Sequence, residues 1–216
     1  RKSDGVVQLA TAGFLNQAVD GQQALRSTVD GVVAALRGTN KPYIITFGHA
    51  MYMDTGAWGD PERVATEEDP ATWSRFYAHW GDVQRLLAAE PGVRTIEILP
   101  SGTYGRGGGY IGTVSRVFDG VRKHGKVYAV APGDNGWSKV HIDDLAELYM
   151  LALRSPDTRG RFIGAAEIVT MIDQARAVSR AAGLGGEVEF VDYRTMRQLN
   201  GRYAEFDWWT NVRTSG

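Results

Sequence analysis

His141, Asp143 and Asp144 put an imidazole and two carboxylates within four positions, and Gly107-x-Gly109-x-x-Gly112 has the spacing of a phosphate-cradling turn. The first set is of metal-ligating type. Asp144 and Glu147 also form a capping box ahead of the apolar positions Leu148, Leu151 and Ala152, so the set is read as structural and no metal is expected. A dinucleotide-type glycine turn follows a strand at once and is answered by an acid about 20 positions later. Gly107 instead lies seven positions past Pro100, and Val130 has no acid at its end. The run is therefore expected to be a mobile substrate loop, with Arg106 beside it for an anionic group. His124 closes a basic helix end, where the helix dipole accounts for it.

These residues must be positioned by an alternating pattern of elements. Apolar runs of strand type recur at Val6–Ala10, Tyr43–Phe47, Thr95–Leu99 and Val127–Val130. Helical stretches separate most of them. The first carries Leu25, Val29, Val32, Val33 and Leu36 and stops at Gly38-Thr39-Asn40-Lys41-Pro42. The second follows Asp69-Pro70 with the stripe Trp73, Phe76, Tyr77, Trp80, Val83, Leu86 and Leu87. Further helices are expected over about 112–123, after Asp144 and near 169–182, the last followed by a strand-like Val188–Val191. Strands alternating with helices predict a parallel α/β sheet covered on both faces, its first three strands adjacent and its cleft at their carboxyl ends. A boundary is expected near Ser155, giving residues 1–155 as a Rossmann-like portion that begins in mid-sheet and 156–216 as a small α+β substrate-binding part.

Composition narrows the partners. The 216 residues hold 24 Lys and Arg against 25 Asp and Glu, which gives no electrostatic reason to expect nucleic acid or an anionic membrane surface. A small-molecule substrate is expected, and a homodimer is left open. There is no Cys, hence no thiolate chemistry, and no apolar run approaches the roughly 18 residues of a membrane span. A soluble, cytoplasmic protein is the expectation.

Four segments, in order, resemble the extended short-chain dehydrogenase/reductases, the NAD-dependent epimerase/dehydratases. Asp4–Thr11 is similar to the strand beside the dinucleotide, with Gln8 in the family's His place. Tyr43–Tyr52 is similar to the strand that delivers the catalytic Ser, with Gly48 in that place. Ile98–Gly105 is similar to the strand that reaches the nicotinamide, and Val140-His141-Ile142-Asp143-Asp144-Leu145-Ala146 matches the family's Val-His-Val-Asp-Asp-Leu-Ala segment closely. The family's opening glycine turn should precede Asp4, so NAD or NADP is implied only if that segment exists in the full protein, and residues 1–216 alone are expected to bind it weakly.

The resemblance implies an NAD(P)-dependent oxidoreductase or epimerase acting on a small polar carbonyl or hydroxyl compound. Tyr77 is its acid/base, with Gly81 where the family's Lys would stand. Thr46 and His49 are the polar groups nearest the absent Ser. His79, one step past Tyr77 on another face, is expected to be solvated. Leu9, Ala10, Thr11, Pro100, Ser101, Gly102 and Thr103 fall at the cofactor, and Tyr104, Arg106, Gly109 and His141 at the substrate. A core-facing Tyr77 is the competing reading, since it shares the stripe of Trp73, Phe76 and Trp80. The alternatives in function are a redox-dead member that senses a nucleotide or metabolite, and a non-redox isomerase or lyase on the same scaffold.

Overall fold

The computed structural model describes residues 3–9, 19–60, 62–72, 78–107, 113–201, 204, 208 and 210–215. Its centre is a four-stranded parallel sheet in the order β1-β2-β3-β7, built from β1 (Val6–Gln8), β2 (Pro42–Thr46), β3 (Arg94–Pro100) and β7 (Gly160–Gly164). The three adjacent parallel strands expected from the sequence are present in that order. Right-handed crossovers place consecutive βα units side by side, which is why the order follows the chain.

Both faces of this sheet are covered, which is why β2 reads as a nearly continuous apolar run. Tyr43, Ile45 and Leu99 pack on one face with Leu25, Val29, Val33 and Leu36 of α1 (Val19–Leu36) and Trp80, Val83 and Leu87 of α2 (Ala78–Ala88). Ile44, Ile96 and Ile98 pack on the other with Leu145 and Ala152 of α4 (Ile142–Arg154). Gly38, at φ +74°, ends α1 and donates its N–H to the Gly92 carbonyl at 2.8 Å.

A second core lies beyond the sheet. Val117 of α3 (Thr113–His124), Met171, Ala175 and Val178 of α5 (Met171–Ala181), Met196 of α6 (Tyr193–Asn200), Trp208 and Val212 surround Val127, Ala129 and Val130. The Val127–Val130 run thus departs from the expected single sheet. Its short β5 (Tyr128–Ala129) pairs instead with β9 (Glu189–Phe190), because its side chains belong to this second core. A third sheet, β4-β6-β8, joins the two cores: β4 (Gly102–Tyr104) runs parallel to β6 (Gly136–His141), and β8 (Glu167–Thr170) antiparallel to it. The boundary drawn near Ser155 falls between α4 and β7, and β7 hydrogen-bonds to β3 in the first sheet.

The helix after β6 begins three residues earlier than the capping-box reading placed it. His141 is its N-cap, its Nδ1 accepting the Asp143 N–H at 3.2 Å, and Asp143 and Asp144 lie inside the first turn. A strand that passes straight into a helix leaves only its last residue free to cap.

Candidate functional site

The described candidates lie at or just beyond β1, β2, β3, β4 and β6. Ala10, Thr11, Tyr77 and Gly109 lie outside the described residues. Leu9 follows β1 and is 64% exposed, while Gln8 just before it is buried and accepts the Tyr43 hydroxyl. Burial raises the Tyr43 pKa, so this phenol stays protonated as a donor.

At the end of β2 the two polar candidates take different directions. Thr46 shares a 2.5 Å hydrogen bond with the Tyr149 hydroxyl of α4, on the face opposite α1 and α2. His49 opens a single 3-10 turn (His49–Tyr52) and is 4% exposed. Its Nδ1 lies 3.4 Å from Thr214 Oγ1 and its ring meets Trp137 edge-on at 5.5 Å. Among the described residues beyond its chain neighbours, only the Ala50 nitrogen lies within 4 Å of where a Cβ on Gly48 would be.

Burial, and secondarily the charge of Lys139, pushes the His49 pKa down to about 3. A group whose folded pKa is depressed contributes stability that is present above its unfolded value of about 6.5 and lost as pH falls toward the folded one. Stability should therefore decline between about pH 6.5 and 3 partly through His49. In His49→Gln, urea midpoints measured across that range should fall less steeply than in the parent. Equal slopes would show that His49 is not the group responsible.

Pro100 ends β3, and Ser101 follows with its N–H donated to the Gly164 carbonyl at 2.9 Å. The Ser101 hydroxyl is buried with no hydrogen-bond partner among the described residues, a state that costs about 1–3 kcal/mol unless something supplies the bond. Thr103 Oγ1 donates to the Ser101 carbonyl at 3.1 Å. Gly102 pairs across β4–β6 with Lys139, and Tyr104 with His141. The Tyr104 ring meets the His141 ring edge-on at 5.4 Å, and its hydroxyl donates to Glu167 at 3.2 Å. Burial first, then the Glu167 carboxylate, raises the Tyr104 pKa.

Gly105 allows that contact. Its φ is +111°, and a Cβ there would stand 2.2 Å from His141 Nε2. Gly105→Ala should cost about 2 kcal/mol, from backbone strain and from the ring it displaces. A urea midpoint within error of the parent would contradict that packing.

Arg106, expected to await an anionic group, is engaged instead. Its guanidinium grips Asp143 through two bonds of 2.5 and 3.0 Å, which holds the Asp143 carboxyl below its usual range. The planar fork of an Arg matches a carboxylate, and the start of α4 presents one beside it. His79, expected to be solvated, is partly buried: its Nε2 has no partner, its ring meets Trp80 edge-on, and burial lowers its pKa. His124 stands exposed in the last turn of α3 with its ring edge-on to Tyr128.

Lys139 was not read from the sequence. It is only 3% exposed in β6, with its Nζ 5.9 Å from the centre of the Trp137 ring. Its signal was a lone charge in the run Trp137-Ser138-Lys139-Val140, which alternation alone would have turned to solvent. Among the described residues no group of three His, Asp or Glu side chains could hold a metal, and no helix is long and apolar enough to cross a membrane.

The sequence matches no family model and no curated protein. Its likeness is to solved structures. A human epimerase family protein with NADPH superposes with a TM-score of 0.73 at 19% identity over 99% of this chain and 74% of that one. A dTDP-4-dehydrorhamnose reductase from Bacillus anthracis in complex with NADP gives 0.69 at 13% identity, over 92% of this chain and 74% of that one. UDP-glucose 4-epimerase from Thermus thermophilus in complex with NAD gives 0.64 at 19% identity, over 85% and 62%. The chain thus spans between 62% and 74% of the length of these structures. With its parallel sheet and its flanking helices, the chain has the fold of the extended short-chain dehydrogenase/reductases, the NAD-dependent epimerase/dehydratase proteins.

Proposed function

We propose that the protein is an NAD(P)-dependent oxidoreductase or epimerase acting on a small polar carbonyl or hydroxyl compound bound at the carboxyl edge of the first sheet. The observation that carries this reading is the Ser101 hydroxyl, buried and unpartnered among the described residues at the end of β3. Open α/β sheets bind ligands outside the carboxyl ends of their strands, and a bound group there would satisfy the orphaned oxygen. Exposed Leu9 and the absence of a side chain at Gly48 fit a flat ring at the same edge. Leu9, Pro100 and Ser101 are the described residues that would hold it. When bound, the dinucleotide supplies or accepts the hydride.

The chain's own residues then orient the substrate and move a proton. Tyr104 and His141, held edge to face, form one wall. Neutral His49 cannot act as a cationic acid near neutral pH, so the reading gives the proton to Tyr77, the acid/base that the family resemblance implies. The polypeptide at its natural length should oxidise NADH or NADPH in the presence of small ketones or keto sugars, read as loss of the reduced cofactor's absorbance. Failure to bind either dinucleotide in a calorimetric titration would sink this reading.

A second reading, a member that binds a nucleotide or metabolite without redox chemistry, is favoured by Gly81. It stands where a cation would lower the Tyr77 pKa, and it is buried in α2. Dinucleotide binding without turnover is its signature.

A further inference from the structure

We propose that α4 is a dimer interface, two copies of the chain meeting antiparallel across a two-fold axis at Met150 and Leu151. The proposal stands apart from the redox reading. From Leu148 to Leu153 the helix reads Leu-Tyr-Met-Leu-Ala-Leu, a run without a charge that, at about 3.6 residues per turn, carries apolar groups right round it. A helix that is apolar on every side is a buried one. The sheet accounts for only part of this. Ala152 is buried, and Leu148, Tyr149 and Leu153 pack against the same cluster, whereas Met150 and Leu151 are 44% and 57% exposed.

The charges that bracket the run say what covers it. Glu147 stands before it and Arg154 after it, both exposed and neither with a partner among the described residues. They are about two turns apart, so they lie on one line of the helix, with Met150 and Leu151 midway and to either side of that line. A two-fold axis perpendicular to α4 between positions 150 and 151 therefore sets Glu147 of one copy against Arg154 of the other, twice. It also brings Met150 onto Met150 and Leu151 onto Leu151. An isologous interface needs such self-complementarity, residue i meeting j while j meets i. A parallel pairing would instead oppose Glu147 to Glu147 and Arg154 to Arg154. Asp143 and Asp144 fall beyond the end of the other copy's helix in the antiparallel register, since α4 stops at Arg154. Asp143 is in any case held by Arg106. One helix pair is a small contact, so the dimer should be weak and concentration-dependent.

The polypeptide at its natural length and residues 1–216 are each followed by sedimentation equilibrium over a wide range of concentration, and both should show a monomer–dimer equilibrium. Leu151→Glu, which sets two carboxylates together at the axis, should weaken it about tenfold or more. Glu147→Arg and Arg154→Glu each turn two attractions into two repulsions and should weaken it about tenfold. Mixed in equal amounts, these last two variants should recover the dimer as a heterodimer, because one then offers two cations and the other two anions. All three positions are exposed, and circular dichroism checks that each variant keeps the fold. A monomer at every concentration would overturn the proposal. So would a natural-length monomer beside a dimer of residues 1–216, which would show that another part of the polypeptide covers the patch. A dimer indifferent to the substitutions, or single variants that weaken it without recovery on mixing, would overturn it too.

Discussion

Arg161→Met should lower the unfolding free energy by about 3–5 kcal/mol, the cost of leaving one member of a buried ion pair alone. Arg161 on β7 donates to Glu97 Oε2 at 3.2 Å, to the Tyr52 hydroxyl at 3.0 Å and to the Glu67 and Asp69 carbonyls at 3.5 and 3.3 Å. The two side chains of the pair are 19% and 12% exposed, so water cannot take over either charge. Without Arg161, Glu97 would retain the Gln84 amide at 2.7 Å and little else to offset its charge among apolar neighbours. Tyr52, fully buried, would lose its hydrogen bond as well. Urea unfolding gives the measurement, and the slope should not change, since the folded surface does not. Pairing Arg161→Met with Glu97→Leu should recover most of the loss, because the expense lies in the orphaned carboxylate rather than in the missing attraction. A single variant that loses less than about 1 kcal/mol would mean that the pair is effectively solvated.

Tyr77→Phe, in the polypeptide at its natural length, should lower kcat/KM for carbonyl reduction by about 10²-fold, the low end of general acid/base assistance. The low end is expected because Gly81 stands in the sequence where the family resemblance implies the lysine that assists the phenol. Turnover equal to the parent would make Tyr77 a core residue and favour the non-redox reading. Restoring a lysine by Gly81→Lys looks simple from the sequence, since a glycine inside a helix costs up to about 1 kcal/mol relative to a good helix former. The structure changes that expectation. Position 81 is buried in α2, so an ammonium there would lose its hydration and destabilise the fold unless a partner meets it.

Thr46, His49 and Arg106 show where sequence reasoning reached its limit. All three were identified as polar groups near the cleft, and β2, β3 and β6 do bring the first two and Ser101 to one edge. Their partners come from far along the chain. Thr46 meets Tyr149, His49 meets Thr214, and Arg106 meets Asp143. No local spacing reports such contacts. A side chain that looks available in a strand end or loop can be fully engaged once a remote element packs on it.

The sequence by itself determined the parallel sheet. An apolar run such as Tyr43–Phe47 is too hydrophobic for a half-exposed strand, and the helical stripes between the strands fix the crossovers. It also determined the helix stops at Gly38 and Pro91, where backbone stereochemistry acts locally. Only the tertiary structure decided that Val127–Val130 leaves the main sheet for a second core, and that β7 closes the first sheet across the expected boundary. It alone also decided that Lys139 is buried across Gly102. The physical reason is the same in each case. Strand propensity and polarity say that a segment pairs or that a side chain is charged, but which edge it pairs with, and whether water reaches the charge, depends on residues tens of positions away.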